Sequence, residues 1–363
     1  MLFRPARFIA GTLVLALPLA AAAGCGAVKK RSIKQELNSA RSHLADSSAA
    51  SFTLRLEDKQ GSLAALAKKS GDVPDAAVKD LLGGSVTYTF DAKSAQQLKG
   101  VDQSSSTAEL KKALAGVRFA VAVKDARATV AELRLVDSTL FARVDIAEID
   151  RVAKEAGSDG VAASFDDAIA SAPTEYRPAL RDLKAGKWLK LPLAGYLAKL
   201  KDAVGSLPTP SPGKSGDLQK TRDDLVTALK PYVSVTDAND SSSKRVLDVN
   251  VAARPAVKAA LAVLKRSKGL PFASALQDVQ PSAIDDNVAD GKAHGTITLA
   301  DGHLTQVSLD LESIRALDPH KGSDSLVGSS VVVDVDDSAD QVTAPTEGVS
   351  SVDVKALVDD LFK

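Results

Sequence analysis

The sequence predicts an α+β fold resting on an antiparallel sheet, and three observations carry that expectation. About eleven segments alternate apolar and polar residues with a period of two, so each presents one greasy face. Few of the intervening stretches read as the long crossovers, a dozen residues or more, that parallel strands require. Amphipathic segments of helical spacing are numerous enough to cover the apolar side of such a sheet.

The elements follow in order. Ile33, Leu37, Ala40 and Leu44 recur at helical spacing and predict a first helix over about 31–46. Phe52, Leu54 and Leu56 alternate with Thr53, Arg55 and Glu57. Val86, Tyr88 and Phe90 alternate with threonines, and Val117, Phe119, Val121 and Val123 with Arg118, Ala120, Ala122 and Lys124. Residues 129–136 and 139–145 flank Asp137-Ser138, a spacing that predicts a tight hairpin even without the usual glycine. From Ile146 to Ala185 the period turns helical, with two or three short helices punctuated by Gly157, Gly160 and Pro173. Residues 187–191 read as a short strand around Trp188, and Pro192 can open a helix carrying Leu193, Tyr196, Leu197, Leu200 and Val204.

The Pro- and Gly-rich run within 205–216 marks an exposed loop or a linker. Beyond it come a helix with Leu218, Leu225, Val226 and Leu229, a strand over 244–251, and a helix opened by Pro255. Strands follow at 295–299, 304–311 and 329–337, the first two joined by Asp301-Gly302 as hairpin chemistry, and an amphipathic helix with Val352, Val354, Leu357 and Leu361 ends the chain.

Composition narrows the partners. With 45 % hydrophobic and 25 % charged residues the body is that of an ordinary globular protein, but aromatics are only 4 %, so the core must be aliphatic. The 46 basic residues balance 46 acidic ones, leaving no global field to attract nucleic acid. A single cysteine rules out an internal disulfide, and stability must come from packing.

That cysteine sits in an informative place. Arg4 and Arg7 precede an uncharged apolar run from Phe8 to Ala20, closed by Ala22-Ala23-Gly24-Cys25. The run is shorter than the ~20 residues of a bilayer span and ends on small residues, as an export signal does. The site resembles the lipobox of bacterial lipoproteins, with Ala22 standing where leucine is commoner. The resemblance implies a signal peptide over 1–24, diacylglycerol and further acyl chains on Cys25, a tether over 25–31, and a body over 32–363 held at the outer face of the bacterial cell membrane.

The order of elements carries a second resemblance. The early helix leading into SFTLRLE, the hairpin LRLVDSTLFARVD, GKWLKLPL before a helix, and the late strands GTITLADGHLTQVSLDL and SSVVVDVDD together resemble the LppX/LprAFG lipoproteins of actinobacteria, relatives of the LolA-like lipoprotein carriers. This implies a strongly curved half-barrel forming one domain, with helices over its concave apolar face and an acyl-chain cavity between. Period-two alternation alone does not distinguish a hollow interior from a filled one.

Other chemistry has no anchor in the sequence. His43, His294, His303 and His320 lack metal-ligand spacing, although His294 and His303, at the ends of one presumptive hairpin, could approach each other beside Asp301. Asp334, Asp336, Asp337 and Asp340 lack the glycine-bearing loop of an EF-hand and suit a solvated or edge-guarding strand face. No nucleophile elbow, P-loop or dinucleotide fingerprint occurs. The expectation is therefore a non-enzymatic, cofactor-free, lipid-anchored protein that binds a lipid or lipoglycan, with Phe52, Leu54, Tyr88, Phe90, Phe119 and Val121 as cavity walls and an envelope transporter as a conceivable partner. The alternative is an envelope scaffold or protein-interaction module with a filled core. Trp188 reads as core or rim packing, with ligand contact as the other role.

Overall fold

The computed structural model describes residues 32–70, 74–91, 94, 106–193, 215–240, 244–267, 279–320 and 324–351. The expected export signal with Cys25, most of 205–216, and the helices expected after Pro192 and at the end of the chain lie outside them. The described elements are α1 (Ile33–Asp46), β1 (Ala49–Asp58), α2 (Ser62–Ser70), α3 (Asp75–Gly83), β2 (Ser85–Asp91), α4 (Thr107–Leu114), β3 (Arg118–Lys124), β4 (Thr129–Val136), β5 (Thr139–Val144), α5 (Ile146–Glu155), α6 (Ala162–Ser171), α7 (Arg177–Lys184) and β6 (Trp188–Pro192). They continue with α8 (Ser215–Leu229), β7 (Val233–Asp240), β8 (Lys244–Ala252), α9 (Ala253–Arg266), α10 (Pro281–Asn287), β9 (Lys292–Ala300), β10 (His303–Asp310), α11 (Leu311–Arg315), β11 (Ser329–Asp336) and β12 (Val349–Ser351).

The fold is α+β, as expected, with twelve described strands in the order β12-β6-β5-β4-β3-β2-β1-β11-β10-β9-β8-β7, a sheet that does not close on itself. β12 and β6 run parallel, whereas nine other neighbouring pairs of described strands run antiparallel. The sequence pattern singled out neither β7 nor β12, nor the short helices α2, α3 and α4. Pro192, read as a helix opener, instead ends β6 opposite Thr139. Its missing N–H is tolerated at the strand's last position.

Local chemistry explains several boundaries. Ser32 and Gln35 form a reciprocal capping box at the start of α1, and Ser106 and Glu109 do the same for α4. The β4–β5 turn places Asp137 at φ 49° and Ser138 at φ 66°, the left-handed pair a two-residue hairpin needs. Arg118 holds Asp137 through two hydrogen bonds of 3.3 and 3.0 Å. At the β9–β10 turn Asp301 and Gly302 take the same conformation, φ 51° and 83°.

The chain falls into two compact units interleaved in sequence. The first comprises Met1–Ser47, Glu57–Leu63 and Pro210–Asp337, the second Ser48–Leu56, Ala64–Thr209 and Ser338–Lys363. The first unit has a filled core. Leu247, Val249, Val251, Ile297, Leu299, Val307 and Leu309 of β8–β10 pack under Leu37 and Ala40 of α1, Leu229 of α8, and Ala253 and Ala256 of α9. Leu247 is 0 % and Ile297 2 % exposed.

In the second unit, strand register arranges one apolar face of β1–β4 in three rows. Leu54, Val86, Val123 and Ala131 form the first, Phe52, Tyr88, Val121 and Leu133 the second, and Ala50, Phe90, Phe119 and Leu135 the third. The opposite face is polar at β1–β2, where the Thr53 and Thr87 hydroxyls lie 3.0 Å apart. Further along that face a small cluster joins Val136, Phe141, Trp188 and Val342.

Candidate functional site: an open apolar cavity

The second unit does not fill its interior. A cavity of about 720 Å³ lies over the first row, Leu54, Val86 and Val123, with Ile149, Val152 and Ala153 of α5, its C-cap Ala156, and Ala77 and Leu81 of α3 as its other walls. The α5 residues with their cap are spaced i, i+3, i+4, i+7, one continuous stripe, so the helix presents its apolar side to the sheet at no conformational cost.

Three features hold the covering helices. Asp145 caps α5 by accepting a hydrogen bond from the Glu148 N–H at 2.9 Å, while its own N–H donates to the Val130 carbonyl of β4. The α3–β2 junction requires glycine, because a Cβ on Gly83 would come within 2.5 Å of the Ala126 Cβ. The third feature is an ion network around Arg151. Its guanidinium lies 3.0 Å from Asp80 of α3, 2.6 Å from Asp125 after β3, and 2.7 and 2.6 Å from Glu148 and Glu155 of α5.

One cation thus serves four carboxylates at the polar end of the cavity, and two of them are deeply covered: the Asp80 and Asp125 side chains are 5 % and 7 % exposed. Burial alone would raise the Asp125 pKa. It is outweighed by hydrogen bonding with Glu148, the Ala128 and Arg127 amides, each at 2.7 Å, and Arg151, so the carboxyl is lowered to about 2. Bonds to Glu148, Glu155 and Asp80 hold the Arg151 guanidinium well above its ordinary range. Asp150, facing away toward the start of α6, is also lowered to about 2, by Lys154 and the Ala162 and Val161 amides.

Of the six residues expected as walls, Leu54 lines the cavity. Phe52, Tyr88, Phe90, Phe119 and Val121 share its sheet face but occupy the next two rows, outside the cavity lining. They continue the greasy surface. Tyr88 is 40 % and Phe90 43 % exposed, and the Phe90 and Phe119 ring centres are 6.4 Å apart. The sequence reading missed the walls supplied by α3 and α5, although the α5 stripe was the available signal.

The remaining candidates are placed elsewhere. Trp188 is buried on the other sheet face, with the guanidinium carbons of Arg134 and Arg143 at 4.8 and 5.1 Å from its ring centre, which makes it a packing residue there. His294 and His303 do not come together. His294 pairs across from Asn250 and lies 3.4 Å from Asp248, whereas His303 lies 2.6 Å from Asp337 and stacks on His43 at 4.3 Å. They sit at opposite ends of β9–β10, roughly 20 Å apart along an extended strand. Asp334 accepts from the Gln306 side chain at 2.8 Å on the neighbouring strand. Since β11 lies between β10 and β1 in the strand order, its carboxylates guard no edge.

Among the described residues, no group of three or more His, Cys, Asp or Glu side chains is arranged to hold a metal ion, and no helix is long and apolar enough to cross a membrane. No family model matches the chain, and no curated protein matches it. Among solved structures the chain is similar to the lipoprotein LppX of Mycobacterium tuberculosis, at 8 % identity and a TM-score of 0.28, over 86 % of this chain and 95 % of that one. It is similar in the same measure to LprF from Mycobacterium bovis, at 8 % identity and a TM-score of 0.28, over 86 % of this chain and 93 % of that one.

Proposed function

We propose that the protein is a lipid-anchored carrier or binding protein that shelters the hydrocarbon part of a lipid in the cavity beneath α3 and α5. In this reading 1–24 is removed on export, acylated Cys25 fixes the chain to the outer face of the cell membrane, and 32–363 is the working body. No catalytic group or cofactor takes part. The observation that carries the reading is the contrast between the two units: one closes its apolar sheet face with tightly packed helices, while the other leaves about 720 Å³ of greasy space open.

The size suits hydrocarbon. A cavity of ~150 Å³ accepts one benzene ring, so this one has room for roughly thirty carbon atoms, or one to two alkyl chains. Each methylene removed from water contributes about 0.8 kcal/mol. A chain could be held firmly even after ordering costs, without any directional contact. The half-exposed rows of Tyr88 and Phe90 extend the apolar surface on which a tail could enter or rest. A transporter or other envelope partner would receive or supply the lipid.

The test is organic extraction of the purified protein with mass spectrometry of what is released, together with uptake of a fluorescent fatty-acyl probe. Stoichiometric lipid, and probe uptake that falls at least tenfold in Ala153→Trp while the fold is retained, are the expected results. Protein that carries no lipid and takes up no probe would leave the scaffold reading in place.

A further inference from the structure

A second site in the same unit has a different character. The groove between α6 and α7, open to solvent, has a volume of about 780 Å³, and its lining includes Arg177, Arg181 and Lys184 against a single carboxylate, Asp166. The three cations stand at i, i+4 and i+7 of α7, on one face of the helix, so the spacing itself gathers them. Lys184 reaches across the groove to pair with Asp166. Arg177 donates through Nε to the Ala172 carbonyl at 2.8 Å, which anchors its guanidinium at the groove's end. Arg181 is exposed, and its carbonyl accepts from the Ala185 N–H within the helix turn while its guanidinium has no ion-pair or hydrogen-bond partner among the described residues. Asp182, the adjacent acid on α7, is turned to Lys187 and Ser350.

We infer that this groove binds a phosphate monoester, free or as a lipid headgroup. Three cations against one carboxylate leave an excess of two positive charges in the lining, which matches the charge of a monoester near neutrality, about −1.5 to −2. Arg181 supplies a planar fork suited to two phosphate oxygens, and Arg177 and Lys184 flank it with further donors. A phosphodiester, with one charge and fewer free oxygens, fits less well. The inference does not depend on what the apolar cavity holds.

The experiment is calorimetric titration of the full chain in neutral detergent with glycerol 3-phosphate, and separately with micelles carrying phosphatidic acid or phosphatidylglycerol. Monoesters should bind at least several-fold more tightly than the diester lipid. Arg181→Gln should weaken monoester binding about tenfold or more, the loss of a charge-assisted contact, with Arg181→Lys intermediate and the melting temperature unchanged in both. Binding of glycerol 3-phosphate identifies a soluble ester as sufficient; binding of phosphatidic acid alone identifies the headgroup source. No binding of either monoester, or binding indifferent to Arg181→Gln, overturns the proposal.

Discussion

At the residue scale, Arg151 is the side chain on which the cavity cover most depends. Removing its charge leaves Asp80 and Asp125 covered beside Glu148 and Glu155, with Arg127 reaching only Glu155, at 3.5 Å. Deleting one partner of such a network leaves the remaining charges uncompensated, which costs more than the pairing itself contributes. Arg151→Met should therefore lower the urea midpoint substantially, and Arg151→Lys should recover only part of it, since one ammonium cannot present two nitrogens to four acids. Acid should act through the same network. Asp125 has a folded pKa of about 2, against about 3.9 when unfolded. Its contribution is fully present above the unfolded value and is lost as pH falls through about 2. Urea melts from pH 6 to pH 2 should show stability falling below about pH 4, with a shallower fall in Asp125→Asn; an unchanged slope in that variant would remove Asp125 from the account. Residue roles of this kind were not legible beforehand. Arg151 is one arginine in a helical stretch, and two of its four partners, Asp80 and Asp125 on other elements, are brought to it only by folding.

At the element scale, legibility followed the strength of local patterning. Strands β1 to β5 and β8 to β11 have long alternating runs and were all found. Strand β12 has three residues and β7 carries Asp237, Asn239 and Asp240, so neither has the apolar alternation that marks a half-buried strand. The β4–β5 hairpin was readable from spacing alone, even though its turn residues are Asp137 and Ser138. A side chain in the left-handed region costs ~1–2 kcal/mol that glycine avoids. Ser138→Gly should accordingly raise the melting temperature by a few degrees, with Asp137 left in place to keep its pairing with Arg118. The cavity walls divide the same way. The sheet wall was visible as alternation, and Leu54 was named from it. The α5 wall was equally periodic, but a helical stripe does not say which surface it will face.

At the scale of the whole molecule, the two units show what one kind of sheet can become. In the first, the inward positions of β8 and β9 are fully buried, because Leu247, Val249, Ile297 and Leu299 pack against Leu37, Leu229 and the alanines Ala40, Ala253 and Ala256, which let their helices lie close to the sheet. In the second, the helix side facing the sheet includes Ala77, Ala153 and Ala156, small residues that leave the space they might have filled. Location belongs to this scale as well. Cys25→Ala should move the protein from the membrane fraction to the soluble or unprocessed pool on fractionation, while isolated protein keeps its probe uptake, because the described cavity walls come from β1–β4, α3 and α5. Loss of uptake in that variant would tie the binding site to the anchor.

Alternation and helical spacing act between residues a few positions apart, and for that reason the α+β class, the antiparallel pairing and the identity of the greasy strand face could all be read directly from the chain. Hollow or solid is a different kind of property. It depends on how far a helix is held from a sheet, and here that distance is governed by Gly83 against Ala126, by Asp145 against Val130, and by Arg151 drawing in Asp80 and Asp125. Each of these joins separate elements, and only their meeting in space left room above Leu54, Val86 and Val123.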